Sequence, residues 1–118
     1  VNGVYLGMNQ QAVIDLLGTP SSSEKMHSRE TLKYSNLGLK VVTEHYMVTV
    51  ITLTGKNAHF AKSGLSIDSS MLDYYNFYQF NKMPSELSKD KYQLPFSIGH
   101  GEFIFFGGNE VSLTIYNT

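Results

Sequence analysis

Four histidines, His27, His45, His59 and His100, are the side chains best suited to acid–base or metal chemistry, and only His100 has a carboxylate at useful spacing. In His100-Gly101-Glu102 the two side chains share a face if the segment is a strand, because residues two apart point the same way. Two ligands leave a zinc site incomplete, and no His-Glu-x-x-His spacing supplies the others. A turn or surface pair accounts for them, so a hydrolase using His100 and Glu102 is the weakest functional reading. Ser22-Ser23-Glu24-Lys25 has the Ser-x-x-Lys spacing of one class of acyl-transfer enzymes, but it follows Pro20 in a Ser-rich loop and its companion motifs are missing. Gly107-Gly108 reads as a β-turn, since neither Gly-x-Gly-x-x-Gly nor the P-loop pattern occurs. Cysteine is absent, which removes disulfides, thiolate zinc sites and a cysteine nucleophile together. No catalytic residue, metal or cofactor is expected, and the chain reads as a binding protein, not an enzyme.

Charge narrows the partners. Nine basic and ten acidic residues give a net charge of -1 with no basic stripe, so a nucleic-acid backbone has no electrostatic footprint to meet. No apolar run approaches the ~20 residues needed to cross a bilayer as a helix. The chain starts Val1-Asn2-Gly3 without an initiator Met, and the expectation is a processed, extracytoplasmic domain, secreted or tethered to a surface through a missing N-terminal segment. At 118 residues, residues 1–118 fit one domain with a core of its own. With eight tyrosines, seven phenylalanines and only 16% charged residues, the composition favours strands over disorder.

The elements that would position any site follow from pattern. Asn9 is a plausible N-cap for residues 10–17, where Ala12, Val13, Leu16 and Leu17 share a helical face, and Gly18 and Pro20 stop the helix. After the Ser-rich loop at residues 21–24 come three runs with strand character, residues 26–34, 37–43 and 47–54, the last two separated by a turn at Glu44-His45-Tyr46. The same grammar returns 61 residues later. Gly64-Leu65-Ser66-Ile67 aligns with Gly3-Val4-Tyr5-Leu6, and Tyr74, Tyr75, Phe77 and Tyr78 align with Val13, Ile14, Leu16 and Leu17. Residues 103–106 and 111–116 then match the last two strands, with a turn at Gly107-Gly108-Asn109-Glu110, while residues 91–98 align poorly with 26–34. The expected fold is α+β: two tandem αβββ units, residues 3–55 and 64–117, forming an antiparallel sheet with the helices packed on one face.

The first copy carries a signature, Gly3-Val4-Tyr5-Leu6-Gly7-Met8-Asn9 followed by Val13-Ile14-Asp15-Leu16-Leu17-Gly18-Thr19-Pro20. It resembles the superfamily that contains the β-lactamase inhibitor proteins and the outer-membrane assembly lipoproteins of the SmpA/OmlA type. That resemblance implies small helices paired with an antiparallel sheet, often in tandem, in exported proteins that act by binding other proteins. The motif is structural, since Gly7, Gly18, Met8 and Pro20 each serve the backbone or the packing.

Strand alternation points to a contact surface. A sheet covered on one side by helices should be polar on the other. With Leu39, Val41, Val48, Val50, Phe103, Phe105, Val111 and Leu113 under the helices, the opposite face would carry Val42, Ile51, Leu53, Ile104, Phe106 and Tyr116. Leaving each such side chain wet forfeits roughly 1.5–3 kcal/mol, so this face needs a cover. The chain itself can supply one from residues 81–95, where Pro84 would open a short helix reaching Lys89; otherwise the cover is a second copy in a homodimer or a foreign protein. Phe80 joins the candidates because the helical face of Met71, Tyr74, Tyr75 and Tyr78 does not place it inside. The expected partner-binding residues are therefore Val42, Ile51, Leu53, Phe80, Ile104, Phe106 and Tyr116. They would serve an inhibitor-like or assembly-like module; an immunity-type protein neutralising a toxin and a binder of a small apolar ligand are the rival readings.

Overall fold

The computed structural model describes residues 3–60, 63–79, 96–99, 101–107 and 110–115. The first helix, α1 (Gln10–Leu17), starts where the Asn9 side chain accepts the Gln11 N–H at 2.8 Å. It ends where Gly18 takes a φ of 86° and returns its N–H to the Ile14 carbonyl. Strands β1 (Ser22–Met26), β2 (Arg29–Tyr34), β3 (Leu39–Glu44) and β4 (Met47–Leu53) follow. The second helix is α2 (Met71–Tyr78), opened by a reciprocal capping box between Ser70 and Asp73 and closed at Gln79. Three more strands complete the order: β5 (Phe96–Gly99), β6 (Glu102–Gly107) and β7 (Glu110–Ile115).

Two expectations change at the start of the sheet. The Ser-rich stretch is strand β1, and the run 26–34 is broken by a turn at His27-Ser28 into the end of β1 and all of β2. Ser22 and Lys25 thus lie on a strand three residues apart, on opposite faces, where they cannot cooperate as a nucleophile and its base. Helix α2 ends before Phe80, which together with Pro84, Lys89, His100 and Tyr116 lies outside the described residues.

All seven strands form one antiparallel sheet in the order β1-β2-β3-β4-β7-β6-β5. Its register assigns the faces. Leu32 pairs with Val41 and Val41 with Ile51; Tyr34 pairs with Leu39 and Leu39 with Leu53. Across the β4–β7 seam, Ile51 and Leu53 pair with Leu113 and Val111, which pair in turn with Ile104 and Phe106. These residues make one apolar face, and with Val13 of α1 and Tyr74 of α2 they form the core. The Tyr74 ring meets Phe106 edge-on at 5.1 Å.

The expected open apolar face is therefore corrected. Ile51, Leu53, Ile104 and Phe106 are at most 1% exposed and lie under the helices. Val42 does sit on the opposite face, but at 4% exposed it too is buried. The cause is a bulge: Val42 pairs with Val50 but Thr43 with Val48, so Thr49 is an extra residue on β4 and the alternation changes phase there. Val48 can then face the helices along with Ile51 and Leu53. On β6 the run Phe103-Ile104-Phe105-Phe106 is apolar at every position, and only its register with β7 selects Ile104 and Phe106 as inward. The outer face carries Thr31, Lys33, Lys40, Thr52, Ser112 and Thr114 beside Val42, Val50 and Phe103. Among the residues described there, polar side chains outnumber apolar ones, and Val42 and Thr52 are buried, at 4% and 2% exposed.

Gly38 shows how tightly the β2–β3 connection is packed. Its φ is 64°, and a Cβ there would lie 2.7 Å from the Gly55 Cα. Gly38→Ala is expected to cost at least about 1–2 kcal/mol from the left-handed backbone alone, lowering the urea midpoint without changing the slope.

The buried phenols set an alkaline limit. Tyr34 donates to the Gly18 carbonyl at 2.9 Å, and burial raises its pKa. Tyr74 donates to the Ser66 carbonyl at 2.5 Å and is raised by burial and then by Tyr78. Tyr78 is raised by burial, an effect that Glu102 reinforces and a hydrogen bond with Ser63 opposes. A raised folded-state pKa favours the protonated form, so this stability is complete below the unfolded value of about 10 and is lost as pH climbs above it. Urea midpoints should fall between about pH 9 and about pH 11, and Tyr34→Phe together with Tyr74→Phe should shrink that fall.

Candidate functional site

At one end of the sheet, two short hairpin turns lie side by side. His27-Ser28 joins β1 to β2, and His45-Tyr46 joins β3 to β4. The β3–β4 turn has φ of 50° at His45 and 65° at Tyr46, the sign pattern of a type I′ turn. His27 has a φ of 57°, as the first central residue of a type II′ turn requires. Such positions favour Gly, Asn or Asp. For a bulky aromatic such as Tyr46, a positive φ is a true outlier.

Backbone bonds hold this end in place. The His45 N–H donates to the Ser28 carbonyl at 3.0 Å, tying one turn to the other, and the Gln10 N–H donates to the Tyr46 carbonyl at 2.8 Å, tying α1 to the turn. Residues 7 and 8 extend the sheet beside β4: Gly7 N–H donates to the Val48 carbonyl, and Val48 N–H to the Met8 carbonyl, each at 2.8 Å. The Thr43 hydroxyl donates to the Gln10 side-chain oxygen at 2.7 Å, fixing the first residue of α1 over β3.

These elements enclose a pocket of about 110 Å³ lined by Gln10, Lys25, His27, Ser28, Glu30, His45 and Tyr46. Lys25 and Glu30 face each other in register, but no ion pair joins them; the Lys25 ammonium sits 6.0 Å from the centre of the Tyr46 ring. The nearby acids are engaged elsewhere, Glu44 with Arg29 at 3.5 Å and Glu24 with Lys33 at 3.7 Å. On the other side of the strands, Met26, Arg29, Glu44 and Met47 form one register row, with two thioethers bracketing the Arg29–Glu44 pair. Met26 is 73% exposed, Met47 45% and Tyr46 61%. Among the described residues no three His, Asp or Glu side chains are grouped to hold a metal ion.

Of the residues expected to bind a partner, Val42, Ile51, Leu53, Ile104 and Phe106 are buried as described above, and none lines this pocket. Glu102 lies on β6, remote in sequence and sheet order from the pocket. Sequence reasoning placed His45 at a hairpin tip, where the structure has it, but read no consequence from a turn that lacks Gly and Asn. That mismatch between residue type and turn geometry was the available signal.

Fold and site together define an α+β protein, with a seven-stranded antiparallel sheet and two α-helices among the described residues. No family model and no curated protein matches the sequence. Among solved structures the chain is similar to an extracellular protein containing an SCP domain from Bacillus anthracis str. Ames, with a TM-score of 0.64 and 14% identity. The match covers 93% of this chain and 44% of that one, so the likeness is one of fold and concerns less than half of the larger protein. No helix among the described residues is long and apolar enough to cross a membrane.

The turn residues make a stability prediction. Replacing His45 and Tyr46 together by Asn and Gly is expected to stabilise the chain by about 1 kcal/mol, because each position then suits a positive φ. A urea midpoint that falls instead would show that the two side chains support the fold.

Proposed function

We propose that this chain is a non-catalytic, extracytoplasmic protein-binding module, inhibitor-like or assembly-like, which meets its partner with the hairpin end of its sheet. The observation that carries this reading is the exposure of Met26, Tyr46 and Met47 at the hairpin end of the sheet, where Tyr46 borders a pocket framed by two turns with residues at positive φ and the two thioethers lie on the opposite face. Thioethers and aromatic rings are adaptable anchors of protein interfaces, and strained backbone is retained where side chains have a use. The extracellular neighbour supports the location, and kinship with the β-lactamase-inhibitor-like superfamily, read from residues 3–20, is part of the same proposal.

The tandem origin belongs to the same proposal. Sheet order runs β1-β2-β3-β4 and then β7-β6-β5, so the last strands of the two halves meet at the centre and each half recedes from it in reverse chain order. A duplicated unit pairing through its last strand gives this arrangement. Strand β1 of the first half is an addition to the αβββ pattern.

A photo-crosslinking residue placed at Tyr46 in producing cells is expected to trap a discrete protein adduct, identified by mass spectrometry. The same residue at Thr114 on the outer face is expected to trap none. The opposite result would return the contact to the sheet face and refute the hairpin-end reading. An immunity-type protein would yield a toxin in the adduct.

A further inference from the structure

We draw no further inference here: the strongest candidate, the apolar patch of Met26, Val42, Met47, Val50 and Phe103 on the outer face of the sheet, carries nothing, because nothing among the described residues shows what covers it.

Discussion

One extra residue in β4 determines how the rest of this sheet is arranged. Because Thr43 pairs with Val48 and Val42 with Val50, Thr49 is accommodated as a bulge and Val48, Ile51 and Leu53 all reach the helix side of the sheet. Without it, placing Val48 inward would turn Ile51 and Leu53 outward, exposing two side chains whose burial is worth roughly 1.5–3 kcal/mol each. The bulge also leaves the Val48 end of the strand free to bond residues 7 and 8, which lead directly into α1. The position of the first helix, and through Gln10 one wall of the pocket, thus follows from the phase of one strand.

The other half of the molecule depends on β4 by a different route. Strand β7 pairs with residues 50–53, beyond the bulge, and there the Thr52 and Ser112 hydroxyls share a hydrogen bond of 2.8 Å on the outer face. Lys40 and Glu110 add an ion pair at 3.5 Å across the same seam. On the inner face the pairs are Ile51 with Leu113 and Leu53 with Val111, so the seam is apolar beneath and polar above. Strand β4 is therefore shared along its length, by the N-terminal segment at one end and by β7 at the other. A continuous sheet results with the helices over one face and a single core beneath them.

Much of the local structure was legible in the sequence. Asn9, Gly18 and Pro20 bounded α1, and Glu44-His45-Tyr46 marked the β3–β4 turn, because caps and turns act through neighbouring residues. What could not be read was phase. The adjacent apolar pair Val50-Ile51 breaks the alternation without saying which strand face each half takes, and Phe103 to Phe106 offers an apolar side chain to either face. Both choices are made by hydrogen-bond register with the hairpin partner, β3 for β4 and β7 for β6, and a slip of one residue reverses every assignment. Ile51, Leu53, Ile104 and Phe106 inherited that error together, whereas Val42 lies on the expected face and is buried there. The turn at His27-Ser28 was missed for a related reason: histidine stands at its positive-φ position in place of the Gly, Asn or Asp that marks such a turn.

That same lack distinguishes the hairpin end from the rest of the chain. His45 and Tyr46 occupy positions that glycine or asparagine would fill at lower cost, and their backbone groups already serve the fold: His45 N–H bonds Ser28 and the Tyr46 carbonyl accepts from Gln10. Those bonds need the turn's shape, not its side chains, so Asn and Gly at these positions would preserve them. The imidazole and phenol rings are thus the part of the turn that the fold does not require. Tyr46 spends its ring on an exposed contact with Lys25, and an exposed cation–ring contact contributes only about 0.5–1 kcal/mol, no more than the strain of a left-handed aromatic residue. Internal stability therefore does not account for keeping them.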